Sequence, residues 1–147
     1  MAEVGHPDRG GGPADGAGLA REWLESSPFV AHLGIRLEDL EPDRARLAMP
    51  FTDALPTLGD VVHGGAISSL IDTAAAAAAW SGAEVPERPR ASTVGITVDF
   101  LAPARGQGVT ADARVVRRGG RGLCFCEVSV SAEDGTEVAL ALVTYQL

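Results

Sequence analysis

The segment GGAISSLIDTAAAAAAWSG, residues 64–82, constrains the fold of this chain more than any other. Its six consecutive alanines have the highest helix propensity of all residues, and Gly82 is a typical C-terminal stop. Nearly every side of the resulting helix is small or apolar, and a helix that is apolar all round is buried rather than laid on a surface. The rest of the chain must therefore wrap around it.

Strand-like runs flank this helix on both sides. Residues 35–51 are predicted to form two strands joined by a turn at residues 41–43, and four further runs follow a polar loop at residues 83–91. Those four runs are STVGITVDFLAP, GVTADARVVRR, LCFCEVSVSA and EVALALVTYQL. Because short Gly-rich turns separate them, the strands are expected to pair antiparallel. The sequence thus predicts an α+β domain in which one antiparallel sheet wraps around one long central helix.

The chain of 147 residues fits one domain. Residues 1–18, rich in Gly, Pro and Asp, cannot bury enough apolar surface to order themselves, so we expect a disordered tail and a domain over residues 19–147. A formal net charge of −8 disfavours nucleic acid and anionic membranes as partners, because both are bound through positive charge.

The cellular compartment is predicted from two further features. The N-terminal residues lack the apolar stretch of a secretory signal. Cys124 and Cys126 lie two apart in a strand-like run, so they should point to one face instead of pairing. Both features favour the cytoplasm. Two cysteines and three scattered histidines give no metal-ligand spacing, so we expect no metal.

The pair Gly64-Gly65 opens the long helix. The first turn of a helix has unpaired N–H groups and a partial positive charge, and glycine lets a ligand approach the backbone closely. Such N–H groups can stabilise the oxygen of an ester or thioester as it gains negative charge. The alternative is that the glycines only permit tight packing of helix against sheet.

Asp72 stands in the middle of this apolar helix. A carboxylate is costly to bury unless something pairs with it or uses its charge, and its helical neighbours three and four positions away include no cation. Asp72 is therefore a functional candidate. The alternative is that it accepts a hydrogen bond from Ser68 or Ser69 and points to solvent.

Eight residues separate Gly64 from Asp72, a helical rise of about 12 Å. One thioester carbon cannot contact both positions of a single helix. If both belong to one site, two copies of the helix must contribute, and we expect a homodimer with antiparallel central helices as the minimal active unit, assembled into a homotetramer.

The motif HGGAISSLIDTA followed by STVGITVDFLAPA resembles the hotdog-fold acyl-CoA thioesterases of the phenylacetic-acid-pathway (PaaI-like) type, and the resemblance covers residues 20–147. It implies hydrolysis of an acyl-CoA thioester, with coenzyme A as part of the substrate and no separate cofactor. It further implies that Asp72 is the general base or nucleophile, that the Gly64 N–H polarises the thioester carbonyl, and that His63 lies beside them. Thr93, or its neighbour Ser92, would orient the attacking water or the carboxylate.

The chain departs from the family pattern before the His-Gly-Gly motif. Many members have Asn-x-x-Gly-x-x-His-Gly-Gly, whereas this chain has Thr57 and Asp60 at the Asn and Gly positions. Thr57 would offer the substrate a hydroxyl, which is a weaker donor than the Asn amide. At Gly65, the lack of a side chain would let the substrate approach the backbone closely.

Three arginines surround a Gly-rich turn in VVRRGGRGL: Arg117, Arg118 and Arg121. Arginine binds phosphate well, so these side chains are candidates for contact with the phosphates of coenzyme A. The alternative is a solvated turn that balances an acidic chain.

Two other functions on the same fold are open. A hotdog hydratase or dehydratase needs a histidine as partner to an acidic residue, and one form places it five residues after the Asp, where this chain has Ala77. A non-catalytic acyl-CoA sensing module would keep the helix N-terminus but needs no carboxylate at Asp72.

Overall fold

The computed structural model describes residues 2–3 and 15–147. Within them the helices are α1 (Gly16–Ser26), α2 (Pro28–Leu33) and α3 (Gly64–Ser81). The strands are β1 (Ala2–Glu3), β2 (Arg36–Glu41), β3 (Arg44–Met49), β4 (Pro56–Leu58), β5 (Val61–Val62), β6 (Arg90–Phe100), β7 (Val109–Arg118), β8 (Leu123–Ala132) and β9 (Glu137–Gln146).

Seven strands form one antiparallel sheet in the order β1-β6-β9-β8-β7-β3-β2, and β4 pairs with β5 in a small hairpin. The inner face of the sheet packs on α3. The alternation of β8 shows why: Cys124, Cys126, Val128 and Val130 are buried, and the residues between them are not. On α3 every residue from Thr73 to Ser81 is buried. The predicted α+β architecture, a sheet wrapped around a central helix, is confirmed.

The N-terminal boundary differs from the prediction. The helix α1 begins at Gly16, so residues 16–18 are helical and do not belong to a tail, because the Asp15 carboxylate caps the helix by accepting the Gly18 N–H at 2.6 Å. Gly16 itself lies against α3: a Cβ there would meet the Trp80 carbonyl oxygen at 1.9 Å. Ala2–Glu3 pairs with the start of β6. The rest of the predicted tail, residues 1 and 4–14, lies outside the described residues.

Cys124 and Cys126 are free thiols on the inner face of β8, each 1% exposed. Burial raises the pKa of Cys126 to about 12, so it stays protonated. The prediction of unpaired cysteines on one face is confirmed. In the described part of the chain, no helix combines the length and the apolarity needed to cross a membrane.

Candidate active site

The N-terminus of α3 is capped by its own sequence. His63 is the N-cap residue, and its Nδ1 accepts the Gly65 N–H at 2.7 Å. The N–H groups of Ala66 and Ile67 are bonded to the His63 carbonyl. Within residues 15–147, the Gly64 N–H is left without a hydrogen-bond acceptor. The structure thus gives His63 and Gly65 a capping role and leaves the Gly64 N–H available to a ligand.

A shallow hollow of about 330 Å³ lies beside Gly64. The ring of Phe100, from the end of β6, lies 3.2 Å from the position that a Cβ on Gly64 would occupy. Because Gly64 has no side chain, the backbone at the start of α3 lies close to the Phe100 ring and borders the open space of the hollow. Thr57 from β4 lines the same hollow.

Asp72 is half-buried and is held from the neighbouring strand. The Thr93 hydroxyl, on β6, donates to Asp72 Oδ1 at 2.5 Å. Ser68 and Ser69 instead donate to the carbonyls of Gly64 and Gly65, each at 2.8 Å. The alternative in which Asp72 bonds to one of these serines is wrong. No Lys, Arg or His of residues 15–147 forms an ion pair with Asp72, and within these residues only its Oδ1 accepts a side-chain hydrogen bond.

The carboxylate of Asp72 opens into a second hollow, of about 280 Å³, between α3, the two N-terminal helices and the start of β6. Ser92 and Thr93 line it. So do four of the seven aromatic side chains of the protein, namely Trp23, Phe29, Trp80 and Tyr145. An acidic group at the mouth of an aromatic hollow is the arrangement expected of a site that binds an apolar group and acts on the bond next to it.

Tyr145 is a member of this hollow that sequence reasoning missed. It stands opposite Thr93 in the β6–β9 pairing, and burial raises its pKa to about 12; the charge of Asp72 adds to the rise, while the Trp80 indole opposes it. Its hydroxyl therefore stays neutral beside Asp72. The alternation of β9, which buries Val143 and Tyr145, is the signal that points to it.

The structure thus distributes these predicted site residues between the two hollows. Asp72, Thr93 and Ser92 share one hollow, whereas Gly64 and Thr57 share the other. A single protomer does not bring the carboxylate and the free helix N–H together.

The turn that carries Arg117, Arg118 and Arg121, called here the arginine turn, lies at the opposite end of α3 from Gly64. Arg118 bonds to the Ala79 carbonyl at 2.8 Å and forms an ion pair with Asp43. It therefore satisfies a carbonyl in the last turn of α3, a structural role. Arg117 and Arg121 are exposed, and Arg121 has a left-handed backbone (φ 60°) in the turn Gly120–Gly122. These two guanidinium groups form no ion pair within the described residues.

Histidine is absent from both hollows as far as the described residues define them. His63 is exposed with its Nδ1 engaged by Gly65, and His32 is exposed on α2. Within residues 15–147, the acid–base histidine that a hydratase or dehydratase needs is not beside Asp72, which argues against that function.

Comparison with known proteins identifies the class. A family model described as the thioesterase superfamily matches residues 59–139, which include Gly64, Asp72 and Thr93. The chain therefore belongs to the thioesterase superfamily, and its sheet around a central helix is the hotdog fold. The class is that of hydrolases that act on thioester bonds.

Several individual proteins are similar over most of their length. The chain is 35% identical over 135 residues to a proposed esterase of Halobacterium salinarum, covering 86% of this chain and 88% of that protein. It is 30% identical to the medium/long-chain acyl-CoA thioesterase YigI of Escherichia coli, covering 82% and 85%. A solved thioesterase-family structure from Silicibacter pomeroyi superposes with a TM-score of 0.80 at 33% identity, covering 89% and 96%. The E. coli PaaI protein superposes at 0.76 with 26% identity, covering 89% and 92%.

Proposed function

We propose that the chain hydrolyses acyl-CoA thioesters at a site shared by two protomers, with Asp72 of one and the Gly64 N–H of the other acting on the same carbonyl. The observation that carries the proposal is the Asp72 carboxylate. It lies half-buried in a helix that carries no other charge, one oxygen is fixed by Thr93, and no cation of residues 15–147 forms an ion pair with it. A binding module has no use for such a costly group.

The chemistry follows from the two groups. Asp72 either removes a proton from water as the water attacks the thioester carbon, or attacks that carbon itself and is then released by water. The carbonyl oxygen becomes an oxyanion, which the Gly64 N–H and the positive end of α3 stabilise. When the C–S bond breaks, coenzyme A leaves as a thiolate and takes up a proton, and the acyl group leaves as a free acid. The reaction uses water and no cofactor.

The pairing of β6 supports a shared site. One edge of this strand is bonded to β9 and, within the described residues, the other is occupied only at residues 90–91, by β1. An open strand edge is a ready template for another strand. If two copies pair antiparallel about a point between Ile96 and Thr97, Thr93 of one copy comes opposite Phe100 of the other.

That register joins the two halves of the site. Thr93 is bonded to Asp72, and Phe100 lies on Gly64. Pairing of the two β6 strands therefore moves the Asp72 hollow of one protomer towards the Gly64 hollow of its partner. Gly64 and Asp72 lie about 12 Å apart along a single helix. With a second helix present, Asp72 of one protomer and Gly64 of its partner can act on the same carbonyl.

The remaining residues take supporting roles in this proposal. Ser92 and Thr57 offer hydroxyls at the two hollows, and Arg117 and Arg121 are the candidates for the coenzyme A phosphates. A homotetramer built from such dimers and the absence of a bound metal remain predictions. A cytoplasmic location also remains one, and the free thiols of Cys124 and Cys126 support it.

A panel of acyl-CoAs tests the function directly. Release of free coenzyme A is measured with a thiol reagent, and hydration of an enoyl-CoA is measured in parallel. We expect thioester hydrolysis with kcat/KM of at least about 10⁴ M⁻¹ s⁻¹ for the preferred acyl group, and no hydration. Tight binding of acyl-CoAs without turnover would make the protein a sensing module and would contradict the proposal.

The role of the arginine turn has its own test. Replacing Arg117 and Arg121 together by Ala should lower kcat/KM about tenfold for coenzyme A thioesters, because each removes a charge-assisted contact to phosphate, and should leave N-acetylcysteamine thioesters unaffected. Arg118→Ala serves as the contrast. It should lower the melting temperature, because it removes the ion pair with Asp43 and the hydrogen bond to the Ala79 carbonyl. Equal losses on both substrates, or no loss on either, would exclude phosphate binding at the turn.

A further inference from the structure

The hollow at Asp72 follows one face of α3. The helix residues that line it are Ser69, Asp72, Thr73, Ala76 and Trp80. Asp72, Ala76 and Trp80 are spaced four apart, so they lie above one another along the helix. The hollow is thus a groove that begins at the carboxylate and continues towards the C-terminal end of α3.

The two ends of the groove differ in exposure. Near the carboxylate, Asp72 and Ser92 are half-buried, and Phe29 on the rim is 56% exposed. At the other end, Trp80 is 4% exposed and Leu19, packed from α1, is 5% exposed. The groove is therefore open at the reacting end and closed at the indole of Trp80.

From these observations, and resting on the proposed function, we infer that the groove holds the acyl group of the substrate and that Trp80 limits its length. A thioester carbon at Asp72 directs the apolar chain past Ala76, where the small side chain leaves room. The chain then meets the indole, and a longer chain has no space without displacing the buried contacts of α1 on α3.

The length of the limit follows from the helix. Eight residues from Asp72 to Trp80 correspond to a rise of about 12 Å. Carbon–carbon bonds of about 1.5 Å, each advancing an extended chain by somewhat more than 1 Å, give room for an acyl group of about eight to ten carbons. The substrate class is therefore medium-chain acyl-CoA, and long-chain acyl-CoAs are excluded.

Two substitutions with opposite expected effects test this inference. In each, kcat/KM is measured for saturated acyl-CoAs from four to sixteen carbons. For the wild type we expect kcat/KM to rise roughly threefold to fourfold with each added carbon up to the limit, and to fall beyond it. Trp80→Leu should raise the ratio of dodecanoyl- to octanoyl-CoA hydrolysis at least about tenfold, and Ala76→Leu should lower the ratio of octanoyl- to butanoyl-CoA hydrolysis by a similar factor.

The control is Leu70→Ala, a truncation on α3 at a residue that is fully buried but does not line the groove. It should lower thermal stability without changing the order of chain lengths. If Trp80→Leu does not fold, Ala76→Leu still decides the question.

The outcomes separate the two proposals. Absence of turnover on every acyl-CoA would overturn the proposed function, and the length limit with it. Turnover with the same length profile in the wild type and in the variants would overturn the role of Trp80 alone. Opposite shifts in the two variants support it.

Discussion

Replacing Asp72 by Asn is expected to lower kcat for acyl-CoA hydrolysis by at least about 100-fold, because a general base or nucleophile contributes at least that factor. The amide has nearly the same shape as the carboxylate, and its Oδ1 can still accept the Thr93 hydroxyl that holds Asp72. The fold should therefore be unchanged, and the loss should appear in kcat with little effect on KM.

The measurement combines steady-state kinetics with thermal unfolding of the same preparation. Asp53→Asn is the matched control, because it makes the same chemical change on an exposed loop residue away from both hollows. A folded Asp72→Asn protein that keeps more than about a tenth of the wild-type kcat would remove Asp72 from the mechanism.

The fold was predictable because its central helix is stable only when it is buried. Six alanines within a segment that is apolar all round cannot lie at a surface, and the runs of alternating residues around them supply the sheet. The start of α1 was harder to predict from the sequence. It depends on the cap by Asp15 and on the fit of Gly16 against the Trp80 carbonyl, and that contact joins segments more than sixty residues apart.

The position of Thr93 shows why part of the site could not be read from alternation. In a regular strand Thr93 and Phe100, seven residues apart, would point to opposite faces of the sheet. The β6–β9 pairing has an irregularity between Thr93 and Gly95 that leaves Val94 without a partner. This bulge turns Thr93 to the inner face, where it reaches Asp72. No local signal in the sequence marks it, and only the resemblance singled out Thr93 or Ser92.

The roles of His63 and Arg118 needed tertiary structure for a similar reason. Both residue types commonly act on substrates, and only their hydrogen bonds show what they do here. His63 caps α3 through the Gly65 N–H, and Arg118 bonds to the last turn of the same helix. The two side chains hold the ends of α3, which fixes the positions of Gly64 and Asp72 along it.

The shared site is the central claim, and it is tested with two variants that are each inactive alone. Gly64→Pro deletes the N–H proposed to stabilise the oxyanion. Proline is tolerated in the first helical turn, Gly64 has no positive φ, and His63 before it is extended (ψ 134°). Gly64→Ala is its control, since it adds a comparable contact with Phe100 but keeps the N–H. We expect Gly64→Pro to lose at least about 100-fold in kcat and Gly64→Ala to lose far less.

The decisive measurement is the activity of a mixed dimer of Gly64→Pro and Asp72→Asn protomers, which carry different tags and are purified on both. If each site takes Gly64 from one protomer and Asp72 from the other, one site inherits both defects and the other inherits neither. The mixed dimer should then recover about half the wild-type activity per dimer, provided that the two sites act independently. If each protomer contains its own complete site, every site keeps one defect. A folded mixed dimer with activity no higher than that of its two parents would contradict the shared site and the role of the Gly64 N–H within it.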